Sequence, residues 1–179
     1  KDKSEMYLQI NGELKNDKKL YLKNFILSEE NNNINIKNLY LNDSNRIIKI
    51  DQANFNYLDT ENKKNNYNLK KLEGQKYLID GTSFNANSLI SNLLDADDKK
   101  ENNLFENNLS LDLNFEEVYL DKTYFVKDLK GKINIIDNKV ENVDILAFYN
   151  NSQNVKFTIR TNDQGEKITT LFSSNAKPL

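Results

Sequence analysis

A chain of 179 residues with 25 basic and 27 acidic side chains is one domain of ordinary size, or one piece of a longer array. The near-balance of charge excludes the basic stripe that a phosphate backbone requires, so no nucleic-acid partner is expected. The absence of Cys and His removes disulfides, thiolate chemistry, the usual zinc sites and imidazole base catalysis, so no enzyme is expected.

The dominant hydrophobic period is two. Met6, Leu8 and Ile10 alternate with polar or amphipathic residues, and Leu14 resumes their phase after Gly12. Further strands are predicted at Leu20–Leu27, Ile34–Leu41, Ile47–Ile50, Ala53–Tyr57, Tyr67–Leu69 and Tyr77–Ile79, separated by polar clusters such as Asn16-Asp17-Lys18 and 61–66. Alternation of this kind puts one side of each strand on apolar surroundings and the other in water. A mean hydropathy of -0.78 does not imply disorder, because nine Tyr, nine Phe and a single Pro are distributed in these runs. The abundant Asn reads as a bias spread over solvent-facing positions.

The period changes once. Ala86, Leu89, Ile90, Leu93 and Leu94 have helical spacing, with Asn85 or Asn87 able to cap, so one short helix is predicted near residues 86–95. A polar, acidic linker follows to Asn108, interrupted by Leu104-Phe105. Strands then return at Leu109–Phe115, Val118–Leu120, Tyr124–Val126, Asp128–Ile135, Val140–Phe148, Val155–Ile159 and Ile168–Phe172. The chain divides accordingly into a β segment (1–83), a short helix and linker (84–108) and a second β segment (109–179), within what reads as a fragment of a larger protein. The N-terminus carries no apolar signal-peptide core, and no stretch approaches the roughly 20 apolar residues that cross a bilayer.

The expected fold class is mainly β: an antiparallel curved sheet or groove (β-taco-like) with one short helix. Its informative feature is the uninterrupted apolar phase of the second segment. Leu109, Leu111, Leu113, Phe115, Ile133, Ile135, Val155, Phe157 and Ile159 are candidate lining residues of an apolar groove for acyl chains. The same pattern also suits a closed β-sandwich core, giving a structural or adhesive domain. Other chemistry is thin. Glu29-Glu30, Asp95/Asp97/Asp98 and Glu116-Glu117 lack the spacing of an EF-hand or the partners of an acid–base pair, so they are assigned no site. No metal and no cofactor is expected.

Three stretches resemble the AsmA-like superfamily, in particular its YhdP-like members. The first is Ile79-Asp80-Gly81-Thr82-Ser83-Phe84-Asn85-Ala86-Asn87-Ser88-Leu89-Ile90, a strand ending in Gly followed by a Phe-Asn-Ala segment and a helix. The second runs from Leu111-Asp112-Leu113 through Val118-Tyr119-Leu120 to Leu129-Lys130-Gly131-Lys132-Ile133, and the third is the turn Thr161-Asn162-Asp163-Gln164-Gly165. The resemblance covers about residues 70–179. Asn85 stands where Asp is common, and Asn175–Leu179 replace the usual Gly-Gly-x-Leu step. It implies a periplasmic segment of a Gram-negative envelope protein, anchored to the inner membrane by a segment upstream of Lys1. It also implies that phospholipid acyl chains, and neighbouring β-segments of the same full-length chain, are its partners in transport between inner and outer membranes.

Overall fold

In a computed structural model the described residues, 5–14, 19–87, 105–137, 139–150, 153–162 and 164–174, are organised as one sheet of eleven strands. The strands are β1 (Met6–Leu14), β2 (Leu20–Glu29), β3 (Asn32–Leu41), β4 (Ile47–Leu58), β5 (Lys64–Lys71) and β6 (Lys76–Asn85). After the crossover come β7 (Leu109–Tyr119), β8 (Phe125–Ile136), β9 (Lys139–Asn150), β10 (Gln153–Thr161) and β11 (Lys167–Ser173). They lie side by side in chain order, and β1 does not pair with β11, so the sheet is open. Every neighbouring pair is antiparallel except β6 and β7, which are parallel. The two sequence-defined β segments are thus joined in a single layer, and residues 84–85 belong to β6. Of the expected helix, only Asn87 shows a helical start; 88–95 lie outside the described residues.

Much of the Asn and Asp has a definite local task. Loops 42–46, 59–63 and 162–166 share one design. The first residue, Asn42, Asp59 or Asn162, accepts hydrogen bonds through its side-chain oxygen from the backbone N–H groups two and four positions on. The fourth residue, Asn45, Asn62 or Gly165, takes positive φ and donates its N–H to the carbonyl of the first. Asn, Asp and Gly tolerate that conformation, and Asx side chains mimic a backbone turn. These loops close three antiparallel hairpins.

Three strands that the sequence splits are continuous. Ile47–Ile50 and Ala53–Tyr57 are both in β4, Leu109–Phe115 and Val118-Tyr119 are both in β7, and Phe125-Val126 continue into β8. The split comes from a shift in apolar phase that neighbouring strands make together. Across β2, β3 and β4 the row Phe25/Ile36/Ala53 is followed by the row Leu22/Leu39/Ile50, with two intervening residues per strand instead of one. Across β6, β7 and β8 the row Gly81/Phe115/Leu129 is likewise followed by Phe84/Val118/Val126. Asn38 and Asp128, inside these bands, have φ of 51° and 49°. Tyr21 donates to Asn38 Oδ1 and Asn38 donates to Asp51 Oδ2, which fixes the first band. Because the strands kink in step, their apolar residues stay on one side despite the local change of period.

That side is concave. Directly opposed Cβ atoms in a flat antiparallel sheet lie about 4.5–5.5 Å apart. A Cβ placed on Gly81 would sit 2.6 Å from Tyr67 Cβ and 2.3 Å from the Asn66 carbonyl oxygen. On Gly131 it would sit 2.7 Å from Ile145 Cγ1. Gly81 lies between Tyr67 and Phe115, so its missing side chain lets those two rings meet across a whole strand, centroids 6.1 Å apart. Two adjoining clusters fill the bend. One is built on Phe115, Val118, Val126, Leu129, Ala147 and Ala86, the other on Leu39, Ile50, Ala53, Tyr77 and Leu109.

Candidate functional site

The strand registers settle which side chains share the concave face. Leu109 opposes Ile135, Leu111 opposes Ile133, Leu113 opposes Gly131 and Phe115 opposes Leu129. Gly131 and Ile133 oppose Ile145 and Val143, which in turn oppose Phe157 and Ile159, while Val155 opposes Ala147. All nine residues singled out from the sequence therefore stand on one face. The same face continues at the far end of the sheet through Leu27, Phe25, Leu22 and Leu20 of β2 to Leu8, Ile10, Gly12 and Leu14 of β1.

Their exposure divides them. Leu109 and Phe115 are each 5% exposed and serve as core, closed to any guest. Leu111, Leu113, Ile133, Ile135, Val155, Phe157 and Ile159 are half-buried. The most accessible apolar residues on this face are ones the sequence did not single out: Met6, Leu8, Ile10 and Leu14 of β1 and Leu171 of β11, all more than half exposed. Nothing in their composition distinguishes them. What exposes them is position, since an outermost strand has a neighbour on one side only. A hollow of about 190 Å³ opens at the β1 side, lined by Met6, Leu27, Ile34 and Tyr57 with polar residues at its margin.

The crossover touches this face at both described ends. At its start Ala86 packs against the Phe115 cluster and donates its N–H to the Tyr119 carbonyl. At its finish Phe105 bridges to Ile47 and its ring lies 5.9 Å from that of Tyr77, covering the second cluster. The start is held by a polar knot. Asn65, 1% exposed, accepts from the Asn85 N–H and donates to Asp59 Oδ2, and Asn85 also donates to Asp59, at 2.7 Å. Burial pushes the Asp59 carboxyl up, but these amide donors and the loop N–H groups outweigh it and hold it below the usual carboxylate range. Asn87 donates to Glu61 in the same knot.

Across the middle strands the convex face is mainly polar, while at the margins Tyr7, Ile168 and Phe172 stand exposed on it. Lys76 pairs with Asp112 at 2.7 Å and Arg160 with Asp144 at 2.6 Å. A cavity of about 340 Å³ on this side is lined mainly by Asn66, Asn68, Asp80, Asn114, Glu116 and Lys130. Among the described residues no cluster of three or more acidic side chains is placed to hold a metal ion. Glu29-Glu30 lies at the β2–β3 hairpin and Glu116-Glu117 in the second kink band, while Asp95, Asp97 and Asp98 lie outside the described residues. No described helix is long and apolar enough to cross a membrane. No family model, curated protein or solved structure matches this chain.

Proposed function

We propose that the chain is a non-catalytic segment of an AsmA-like envelope protein, whose concave apolar face shelters phospholipid acyl chains during transport between the inner and outer membranes. The observation that carries this reading is the continuity of one apolar face from β1 to β10, reaching Leu171 on β11, in a single open sheet with no second sheet over it among the described residues. The sequence resemblance over residues 70–179 supports the same reading, and implies a periplasmic segment of a protein anchored upstream. Guest contact belongs to the outer strands, where Leu8, Ile10 and Leu171 are exposed, with Phe157 and Ile159 at the margin. The central strands, filled by their own side chains, act as the rigid back of the groove.

The physics is transfer of hydrocarbon out of water. Each sheltered CH₂ contributes about 0.8 kcal/mol, so a two-chain lipid is held by even a partly covered track. Native mass spectrometry of the chain purified with mixed phospholipids tests the reading. Lipid-bound masses are expected, and they are lost in L171E and L8E, whose positions are exposed enough to leave the fold intact. Absence of bound lipid in the unaltered, folded chain contradicts it.

A further inference from the structure

We propose that this chain extends its sheet by pairing edge to edge with further copies of itself, β11 of one copy lying antiparallel to β1 of the next. Three independent features meet in this pairing. The first is direction. In an all-antiparallel sheet of eleven strands the first and last would run the same way, and the next copy in the same orientation would have to join by a parallel pair. The single parallel junction between β6 and β7 reverses that, so β1 and β11 run in opposite directions. A copy displaced sideways thus presents β1 antiparallel to β11, the arrangement that nine of the existing ten junctions already use.

The second feature is phase. Leu8 and Ile10 on β1, and Thr169 and Leu171 on β11, stand on the concave face, so alternate registers of the new pair continue that face from copy to copy. The third is the chemistry of the edges themselves. Natural edge strands are commonly blunted by Lys, Pro, bulged backbone or brevity. From Met6 to Gly12, β1 contains no charge and no Pro, and from Ile168 to Ser173 neither does β11. Nine and seven residues long, both edges carry large apolar side chains exposed on both faces: Tyr7 beside Leu8, and Phe172 beside Leu171. No described residue pairs with either outer edge. A contact between two different edges is heterologous and does not close on itself after two copies.

Sedimentation equilibrium of the 179-residue chain is the test, with two variants whose substitutions fall at exposed positions: L8K/I10K, blocking β1, and T169K/L171K, blocking β11. The unaltered chain is expected to rise in average mass with concentration and to pass beyond the dimer. Each variant alone is expected to stay monomeric, with the circular dichroism and melting temperature of the parent confirming its fold. An equimolar mixture of the two is expected to form a dimer that grows no further, because the pairing uses the open β11 of one variant and the open β1 of the other and leaves two blocked edges. A parent that is monomeric throughout, a single variant that still associates, or a mixture that stays monomeric overturns the proposal.

Discussion

The middle of the sheet and its two margins are made from the same alternating pattern, yet they differ in what that pattern achieves. In the middle strands the core side chains of the concave face have neighbours on both sides and, where the sheet bends, on the strand beyond, as Tyr67 meets Phe115; Ala53 and Tyr77 are 0% and 1% exposed. In β1 the burial is absent on either face, and Ile168, Leu171 and Phe172 of β11 share that condition. Position in the sheet and curvature, not composition, separate the two regions. A single layer can bury a core only where it folds toward itself, and the glycines on the concave side allow it to do so.

Substitutions that probe this contrast should scale with position. The largest effect is expected at Tyr77, where Y77A removes a fully buried ring and costs about 4 kcal/mol in chemical denaturation. G81A is next, at about 3 kcal/mol, since its Cβ meets the backbone of β5 with strands packed on both sides. The same change at Gly12 sharpens the comparison. A Cβ there would also lie 2.3 Å from a carbonyl oxygen, that of Tyr21, but β1 is free to shift outward, so G12A should cost no more than about 1 kcal/mol. Equal costs at Gly81 and Gly12 would break the distinction between a clamped centre and a loose margin.

Smaller effects follow. D59A removes an acceptor for the N–H groups of Glu61 and Lys63 and for the side chains of Asn65 and Asn85, and should cost about 2 kcal/mol near neutral pH. Because folding lowers the Asp59 pKa, its contribution is full above the ordinary carboxylate range and is lost as pH falls through the folded value. Parent and D59A should therefore converge in stability under acid, as measured by urea unfolding across pH. A difference that persists unchanged into acid would assign the effect to packing instead. L8A and L171A, at exposed positions, should change stability by less than about 0.5 kcal/mol.

The strands themselves were legible in the alternation, and so was the single apolar face, because side-chain period two leaves little freedom in which residues share a side. The kink bands were not. Asp51-Gln52, Glu116-Glu117 and Lys127 look like interruptions when each strand is taken alone, and only the neighbour's matching step shows that the strand continues. The parallel β6–β7 junction was equally hidden, since the sequence between Asn87 and Phe105 does not say on which end of the sheet the chain returns. Abundant Asn looked like bias, yet Asn42, Asn45, Asn62 and Asn162 each fill a turn position with a stated hydrogen bond or positive φ. Of the nine groove candidates, periodicity placed all on one face correctly but had no means of telling Leu109 and Phe115, which are core, from Phe157 and Ile159, which lie nearer the open side.

Adjacent residues on β1 offer the most direct test of a concave face that receives hydrocarbon. The chain has no Cys, so a single photoreactive thiol adduct can be placed at I10C or at N11C, one position apart and on opposite faces, Ile10 beside Leu8 and Asn11 opposite Asn24. Irradiated with phospholipid vesicles and weighed intact, the protein labelled at position 10 should carry a lipid adduct and the one labelled at 11 should not. Equal lipid capture at both positions, or none at 10, would contradict a concave apolar side that receives the guest.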